Sequence, residues 1–216
     1  MFPTPIVVVE SVAPSITVIS SSEVFGSGKV LPMSEDHPRH PTTPYGASKC
    51  AGDFYVQAYN LCMGLKSIII RPFNVYGPRM RMDGYSNVIY KFVMRLIENN
   101  PPIIHGTGKQ TRDLTYVTDM ADGIYIASRD DGLIGHSINI GSGEQTSVIT
   151  IARMCNQLFD KDMDYLLFDK ERFPNDVEIH ECDTSRMKER YGWETKIELE
   201  DGLKKTIEWM VKNYVI

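Results

Sequence analysis

Short apolar runs alternate along the chain with longer segments in which apolar residues recur at helical spacing. The apolar runs predict β-strands at residues 16–19, 66–71, 101–105 and 137–140. The helical spacing predicts α-helices at residues 44–63, 87–98, 119–128, 148–158, 184–191 and 199–213. Strands that alternate with helices are typical of an α/β fold built on a parallel sheet.

The composition is that of a globular protein. The chain has 216 residues, of which 42% are hydrophobic and 24% are charged, enough for one or two domains with a core. A net charge of −5 argues against a general nucleic-acid-binding surface. No apolar run approaches the ~20 residues that a membrane-spanning helix needs, so we expect no membrane segment.

The cysteines and the first residues indicate a cellular compartment. The histidines argue against a metal site. The four cysteines lack Cys-x-x-Cys spacing, and the start of the chain is a poor secretion signal because it has no basic segment. We therefore expect free thiols and a cytoplasmic protein. Neither the histidines nor the carboxylates show the spacing of a metal site, and we predict no metal.

One predicted helix begins with a pattern that suggests chemistry, residues 44–49 (Pro-Tyr-Gly-Ala-Ser-Lys). Proline is favoured at a first helical position, and Thr42 or Thr43 can cap the helix. Tyr45 and Lys49 are about one turn apart and share a face. An ammonium beside a phenol lowers the pKa of the phenol and makes it a better base. For this spacing alone, an ordinary exposed tyrosine and lysine is the better interpretation.

Three further patterns bear on the site. Ser20 and Ser21 follow the first strand, and sites in parallel sheets form at the carboxyl ends of strands. The pairs Gly106–Gly108 and Gly141–Gly143 lack the third glycine of a dinucleotide fingerprint and predict tight turns. The tyrosine helix carries an apolar stripe that predicts either core packing or a helix–helix dimer contact, made of Ala51, Phe54, Tyr55, Ala58, Tyr59 and Cys62.

Six segments, taken in order, resemble the extended short-chain dehydrogenase/reductase family, the NAD-dependent nucleotide-sugar epimerases and dehydratases. They are residues 20–26 (SSSEVFG), 44–49 (PYGASK), 71–79 (RPFNVYGPR), 106–113 (GTGKQTRD), 116–119 (YVTD) and 139–144 (NIGSGE). The resemblance covers about residue 16 to the C-terminus, and the order of the segments makes it specific.

The resemblance implies an α/β fold, the C-terminal part of a Rossmann-type doubly wound parallel sheet with a smaller mixed α/β substrate-binding region. Residues 1–80 would be the remaining part of the NAD-binding domain. Residues 81–216 would mainly bind the substrate, with segments at about 101–140 returning to complete the sheet. The family's Gly-rich cofactor turn does not occur, since the first glycine is Gly26. We therefore expect that roughly 90–100 residues of the cofactor half are missing, at about 30 per βαβ unit.

The resemblance also implies a mechanism that depends on bound NAD. Tyr45 would take the proton from the sugar 4-hydroxyl while a hydride passes from the same carbon to NAD. Lys49 would lower the pKa of Tyr45 and hold the cofactor ribose, and Ser21 would hydrogen-bond the 4-oxygen. The implied catalytic residues are Tyr45, Lys49, Ser21 and Glu23, and the implied cofactor contacts are Tyr45, Lys49, Ser20 and Phe73.

The implied substrate is a nucleotide-sugar, whose diphosphate needs cations and amide donors. Its implied contacts are Ser22, Asn74, Asn87, Val88, Arg112 and Arg172. Asn74 and Arg112 fall where the family contacts the diphosphate. Arg172 falls near a second arginine of that kind, but its spacing is one residue longer than usual.

Three functions remain open. We expect a 4-epimerase of the UDP-glucose 4-epimerase type, acting through a 4-keto intermediate. Glu23 lies two residues past Ser21, where dehydratases place a base, so a 4,6-dehydratase or a UDP-glucuronate decarboxylase is the alternative. A truncated, non-catalytic nucleotide-sugar-binding fragment or subunit is a third possibility, and its exposed sheet edge would pair with a missing N-terminal half. The other expected partner is a second copy of the chain, bound through the Tyr45 helix.

Overall fold

The computed structural model describes residues 9–10, 16–81, 87–169 and 176–214. Within these ranges the strands are β1 Val9–Glu10, β2 Ile16–Ile19, β3 Ser67–Pro72, β4 Asn74–Tyr76, β5 Ile103–His105, β6 Thr111–Arg112, β7 Leu114–Tyr116, β8 Ser137–Ile140, β9 Thr146–Ser147 and β10 Leu167–Asp169. The helices are α1 Pro44–Met63, α2 Val88–Ile97, α3 Val117–Ser128, α4 Val148–Leu158, α5 Ser185–Tyr191 and α6 Leu199–Tyr214. Two short 3₁₀ helices span Ser22–Val24 and Asp131–Leu133.

The main sheet has the strand order β1-β2-β3-β8. β2, β3 and β8 run parallel, with Ile19 opposite Ile70 and Ile70 opposite Ile138. β3 is buried from Ser67 to Arg71, as expected of a central parallel strand rich in isoleucine. β1 runs antiparallel to β2 and covers two residues of its outer edge. The predicted strands at residues 16–19 and 137–140 are confirmed.

A smaller region is built from the other strands and from α2, α4 and α6. β4 pairs with β7 and β5 with β10, both in parallel, and β6 pairs with β9 in antiparallel orientation. The three helices share an apolar core around Phe92, Ile151 and Leu203. β8 therefore lies in the main sheet, whereas β5 and β7 pair outside it. The division of the chain at residue 80 stays a prediction.

The helix α1 has the predicted bounds because both ends are capped. The Thr43 hydroxyl accepts a hydrogen bond from the Gly46 amide at 3.0 Å, and Pro44 occupies the first turn. Gly64 ends the helix with a φ of 67°, a left-handed conformation that favours glycine. Of the two predicted caps, Thr43 is the one that the structure uses.

The apolar stripe of α1 does not pack into the core of this chain. Phe54, Tyr55 and Tyr59 are 56%, 69% and 54% exposed. Core packing of the stripe is therefore a wrong prediction, and the dimer contact stays a prediction. The face of α1 that is buried carries charge instead, since Lys49 and Asp53 are 8% and 1% exposed.

α3 begins at Val117, two residues before the predicted start at Asp119. The carboxylate of Asp119 accepts hydrogen bonds from the amides of Lys196 and Ile197, at 2.9 Å and 3.0 Å. The aspartate therefore ties α3 to the chain before α6 and does not cap its own helix.

Three of the four glycines in the two Gly-x-Gly pairs have a left-handed backbone, as tight turns require, and Gly141 does not. Gly106, Gly108 and Gly143 have φ values of 71°, 72° and 80°. A Cβ atom on Gly108 would also lie 2.8 Å from the Ile104 side chain. Both the backbone conformation and the space therefore require glycine at that position.

Candidate active site

A cavity of about 360 Å³ opens where β2 and β3 end. Its lining consists of Ile19, Ser20, Ser21, Tyr45, Lys49, Pro72, Phe73 and Val75. The Ser20 amide bonds the Ile70 carbonyl and the Phe73 amide bonds the Ile140 carbonyl, so the sheet itself sets the position of both lining segments. The structure thus brings the serines, the Tyr–Lys pair and Phe73 to one place, at the carboxyl edge of a parallel sheet.

Lys49 reaches this cavity from the buried face of α1. Its ammonium donates a hydrogen bond to the Ile19 carbonyl at 3.0 Å and lies 5.8 Å from the centre of the Tyr45 ring. Burial lowers the pKa of Lys49, and the nearby Asp53 carboxylate raises it. The ammonium is therefore held at the end of β2 by a main-chain oxygen.

Burial and two neighbouring side chains, Ser21 and Glu23, shift the pKa of the Tyr45 phenol. Burial raises the pKa of Tyr45, a hydrogen bond with the Ser21 side chain lowers it, and the charge of Glu23 raises it. Because 52% of the side chain stays exposed, water screens part of this effect. The ammonium of Lys49 lies over the Tyr45 ring and is bonded to the Ile19 carbonyl, and the effect of Lys49 on the pKa of Tyr45 stays a prediction.

The three serines after β2 have different surroundings. The Ser21 hydroxyl accepts a hydrogen bond from the Glu23 amide at 3.2 Å and caps the short 3₁₀ helix. The Ser20 hydroxyl is buried and has no hydrogen-bond partner among the described residues, although Ser20 lines the cavity. Ser22 is 3% exposed and does not line it. Ser20 and Ser21 can therefore face a ligand in the cavity, and Ser22 cannot do so in this arrangement.

Glu23 belongs to a charged cluster next to Tyr45. Burial raises the pKa of Glu23, Arg112 lowers it, Asp176 raises it, and a hydrogen bond with the Thr43 side chain lowers it. The guanidinium of Arg112 pairs with Asp176 at 3.1 Å and donates to the Val177 carbonyl at 2.8 Å. The arginine is therefore held in place, with 15% of its side chain exposed.

Asn74, a predicted contact of the diphosphate, uses its side-chain NH₂ group in hydrogen bonds within the protein. Its Nδ2 donates to the Asp113 carbonyl at 3.2 Å and lies 3.4 Å from Nδ1 of His180. This ring nitrogen accepts when the other one, Nε2, donates to the Gly26 carbonyl at 3.1 Å. The group that Asn74 retains for other contacts is then its carbonyl oxygen.

Asn87 and Val88 begin α2 beside a second cavity. The Asn87 side chain accepts from the Ile89 amide at 2.9 Å and donates to the Val75 carbonyl at 3.1 Å. This cavity, of about 390 Å³, is lined by Val75, Tyr76, Gly77, Pro78, Arg79, Met80, Arg81, Asn87 and Val117. Val75 lines both cavities, so the two adjoin at this residue. Arg172 lies outside the described residues.

The family model for GDP-mannose 4,6 dehydratase matches residues 9–206. The chain belongs to this family. The family's members of known sequence that it matches are nucleotide-sugar epimerases and dehydratases, as the resemblance to the extended short-chain dehydrogenase/reductases implied.

Relatives from distant organisms are similar to most of the chain. A protein of Methanocaldococcus jannaschii named "Putative UDP-glucose 4-epimerase" is 36% identical over 90% of this chain and 62% of its own length. The dTDP-D-glucose 4,6-dehydratase of Bos taurus is 33% identical over 91% of this chain and 55% of its own length. The UDP-glucuronic acid 4-epimerase of Bacillus cereus, solved with UDP-glucuronic acid and NAD, has a TM-score of 0.84 at 30% identity, over 92% of this chain and 62% of that one.

These likenesses confirm the predicted fold class, the C-terminal part of a Rossmann-type doubly wound sheet with a smaller mixed α/β region. The chain spans 55–62% of the length of the relatives named above. The family and the fold are thereby established, and the specific reaction is not.

Sequence reasoning on this GDP-mannose 4,6 dehydratase family member missed Asp113. Its buried carboxylate accepts hydrogen bonds from the amides of Ser142, Gly143 and Cys182 at 2.7–2.9 Å, and one from the Ser142 hydroxyl at 2.8 Å. Asp113, which follows Arg112, thus ties its segment to the turn after β8 and to the chain before α5. Its place at the end of the resembling segment 106–113 was the signal that could have indicated it.

His180 is a second residue that sequence reasoning missed. It is fully buried, stacks edge-on against Phe73 and holds the Asn74 amide. Burial lowers the pKa of His180 to about 4, so its ring is neutral at pH 7. A lone histidine without ligand spacing gave no reason to expect this position.

Three observations concern metal sites, membrane-spanning helices and the cysteines. Among the described residues, no cluster of three or more histidine, cysteine or acidic side chains is arranged to hold a metal ion. No helix in the described part of the chain is long and apolar enough to cross a membrane. All four cysteines are free thiols.

Proposed function

We propose that this chain supplies the Tyr–Lys–Ser site and the substrate-binding region of an NAD-dependent nucleotide-sugar 4-epimerase of the UDP-glucose 4-epimerase type. The observation that carries the proposal is the cavity at the ends of β2 and β3, in which Ser21, Tyr45 and Lys49 meet. A phenol, an ammonium and a hydroxyl at one sheet edge are the groups that can take a proton from a sugar hydroxyl.

Each of the three side chains has a role in this reaction. Tyr45 accepts the proton of the sugar 4-hydroxyl, and Ser21 hydrogen-bonds the same oxygen. Burial raises the pKa of the Tyr45 phenol, and the neighbouring Ser21 side chain acts in the opposite direction and so favours the proton-accepting form. Lys49 supplies positive charge beside the Tyr45 ring and a donor for a ribose hydroxyl.

The cavity fits the nicotinamide–ribose end of NAD, which would accept the hydride from carbon 4 when bound. Ser20 offers a buried hydroxyl without a partner among the described residues, and Lys49 offers its ammonium. Phe73 lies at the same edge and gives the cavity an apolar wall. No Gly-rich turn precedes Gly26 in the printed sequence, so affinity for NAD is the first property to measure.

The nucleotide diphosphate would bind where Arg112 lies and along the start of α2. Arg112 is half-buried and its guanidinium is already oriented by two carbonyls and Asp176. An anionic ligand would share this guanidinium with Asp176. Asn87 and Val88 present the first turn of α2 to the second cavity, and Asn74 offers an amide oxygen near His180.

A 4,6-dehydratase or a UDP-glucuronate decarboxylase is the second candidate, and Glu23 is the observation that favours it. Burial raises the pKa of its carboxyl, which makes the carboxylate a stronger base. Its charge also acts on Tyr45, which places it beside the proposed proton acceptor. An epimerase would not need this carboxylate as a base, because its ketone intermediate is reduced again at the same carbon.

The proposed partner is a second copy of the chain, bound through α1. The exposed side chains of Phe54, Tyr55, Tyr59, Leu61 and Met63 give this helix an apolar surface that is open to solvent in the single chain. Sedimentation velocity should show a dimer that Tyr55→Glu converts to a monomer. The four free thiols suit the reducing cytoplasm, where we place the protein.

Calorimetric titration of the 216-residue chain with NAD, and separately with UDP-, GDP- and dTDP-sugars, tests the proposal. We expect a nucleotide-sugar to bind, with NAD binding if the cavity suffices for the cofactor. Binding of a nucleotide-sugar without NAD would support the substrate-binding role and assign catalysis to a complex that supplies the Gly-rich turn. Failure of every nucleotide-sugar to bind would overturn the proposal.

The matched variants are Tyr45→Phe and Tyr55→Phe, which remove one hydroxyl each from the same helix. Tyr55 is 69% exposed and does not line the cavity, so its change should leave binding and turnover intact. Tyr45→Phe should lower turnover by about 10²–10⁴-fold, the usual contribution of a general acid–base group, while nucleotide-sugar affinity stays nearly unchanged. Equal loss of affinity and turnover would contradict the role of Tyr45.

A further inference from the structure

A buried ion pair lies directly behind Lys49. Asp53 follows Lys49 by four residues, so both occupy the buried face of α1, and they are 1% and 8% exposed. The Asp53 carboxylate pairs with the guanidinium of Arg71 on β3 at 2.9 Å, and Arg71 is fully buried. Behind the proposed site, a buried ion pair thus joins the helix to the sheet, beside the apolar cluster that contains Cys50 and Phe73.

This pair is poorly explained by stability alone. Burying two charges costs much of what their attraction gains, and apolar replacements of similar size are often as stable. The pair is also incompletely hydrogen-bonded, since Asp53 Oδ1 and Arg71 Nη2 are buried without a partner among the described residues. The remaining contacts of Arg71 are the Glu35 carbonyl at 3.2 Å and the Phe25 ring at 5.2 Å.

We propose that Asp53, fixed on the buried face of α1 by its pair with Arg71, is a positioning residue that favours the charged form of the Lys49 ammonium beside the cavity. The functional meaning of this inference rests on the proposed function, in which Lys49 supplies positive charge beside Tyr45. The arrangement of Lys49, Asp53 and Arg71 is independent of the proposed function. A carboxylate one helical turn from a buried lysine offsets the loss of water around the ammonium.

The groups around Lys49 support this assignment. From α1, Tyr45 presents its ring at 5.8 Å and Asp53 presents the carboxylate. From β2, the neutral Ile19 carbonyl accepts the ammonium proton at 3.0 Å. From β3, Arg71 is paired with Asp53. Asp53 is the charged group that raises the pKa of Lys49, against the lowering by burial.

The charges around Arg71 keep the pair fixed. Asp53 and Glu35 favour the guanidinium charge, and Arg39 and burial oppose it. The Glu35 carboxylate in turn accepts a hydrogen bond from the Asn139 amide at 2.9 Å and pairs with Arg186 at 3.4 Å. Asp53 is therefore anchored through Arg71 to the loop that carries Glu35, and it cannot swing away from Lys49 without breaking the pair.

The test measures the titration of Lys49 directly, in the 216-residue chain labelled with ¹³C at the lysine ε-carbons. Lys49→Arg assigns the resonance, and the exposed Lys66 and Lys91 are internal controls. Asp53→Asn should lower the pKa of Lys49, because it removes the negative charge one helical turn from the buried ammonium. Asp53→Glu should restore most of the shift.

Circular dichroism and urea unfolding show whether each variant is folded. If Asp53→Asn does not fold because Arg71 is left unpaired, the double variant Asp53→Asn/Arg71→Met removes both charges and should lower the pKa of Lys49 by less than the single variant, since a cation is lost with the carboxylate. A folded variant in which Lys49 titrates as in the parent chain overturns the proposal. Failure of both variants to fold assigns Asp53 to stability alone and also overturns it.

This experiment needs neither substrate nor NAD. A shifted Lys49 titration in a chain that binds no nucleotide-sugar would refute the proposed function and leave the positioning role of Asp53 intact. Nucleotide-sugar binding with an unchanged Lys49 titration would do the reverse.

Discussion

The two regions of the molecule are held together in different ways. Under α1, the interior next to the sheet contains Lys49, Asp53 and Arg71, all less than a tenth exposed. Between α2, α4 and α6, the interior is an apolar cluster that includes Phe92 and Ile151. The part of the main-sheet region that lies under α1 therefore contains buried charges beside its apolar clusters, whereas the interior between α2, α4 and α6 is aliphatic and aromatic.

The two interiors differ in how strictly they fix the geometry of the groups they contain. Apolar contacts are non-directional and tolerate changes of shape, whereas a buried charge needs its partner in one geometry. A site that must hold a lysine and a tyrosine in a fixed relation gains from the second kind of interior. In the charged interior, replacing one partner should therefore lower the free energy of unfolding more than replacing both. In the apolar cluster, no such recovery is expected.

The largest effect is expected from breaking the buried ion pair. Arg71→Met should lower the free energy of unfolding by about 3–5 kcal/mol, because it leaves the Asp53 carboxylate buried and unpaired. The double variant Arg71→Met/Asp53→Asn should recover most of this loss. Urea unfolding of the single and double variants measures the coupling, and additive losses would contradict the pairing.

A comparable loss without such recovery is expected in the apolar interior. Ile151 is fully buried, and Ile151→Ala should lower the free energy of unfolding by about 2–5 kcal/mol, through lost transfer energy and a residual cavity. The control is Val30→Ala, since Val30 is 66% exposed and its change should stay within about 0.5 kcal/mol. Equal effects of the two variants in urea unfolding would show that this cluster is not a packed core.

The third prediction concerns pH. Burial lowers the pKa of His180 from 6.5 to about 4, so the unfolded chain binds a proton at a higher pH than the folded chain does. The resulting stability is fully present above pH 6.5 and is lost as the pH falls toward 4, by about 3 kcal/mol in total at 1.36 kcal/mol per unit.

His180→Gln should therefore flatten the dependence of unfolding free energy on pH between about 6.5 and 5, where few carboxylates titrate. His136→Gln is the control, because His136 is exposed on a loop. An unchanged slope in His180→Gln would show that His180 is not held neutral in the folded chain.

The smallest effect is expected at the start of α1. Thr43→Ala removes the hydroxyl that accepts from the Gly46 amide and should cost about 0.5–2 kcal/mol. Thr43→Ser keeps that acceptor and should cost less. Thermal unfolding of the two variants, compared with the parent chain, measures the cap, and equal melting temperatures for all three would rule it out.

Much of the local structure was predictable because its signals are local. The bounds of α1 follow from Thr43, Pro44 and Gly64, which act within one or two turns of the chain. The strands β2 and β8 follow from β-branched runs. The start of α3 was not predictable, because the Asp119 carboxylate does not cap its own helix. It accepts hydrogen bonds from amides more than 70 residues away.

The candidate site was predictable in its members and not in its electrostatics. Order of motifs along the chain pointed to Tyr45, Lys49 and the serines, and the cavity contains them. The position of the Lys49 ammonium relative to the Tyr45 hydroxyl depends on which group accepts its hydrogen bond. That acceptor is the Ile19 carbonyl, which belongs to a different element. The burial of Ser22 and the engagement of Asn74 likewise depend on neighbours distant in sequence.

By itself, the sequence determined the family, the α/β alternation and the side chains that the candidate site contains. These depend on residue type, spacing and order, all of which are written along the chain. Only the tertiary structure decided which face of α1 is buried, that Asp53 and Arg71 pair behind Lys49, and that Asp113 and His180 support the site. Burial and charge pairing are properties of groups brought together from separate segments, and desolvation acts only after they meet.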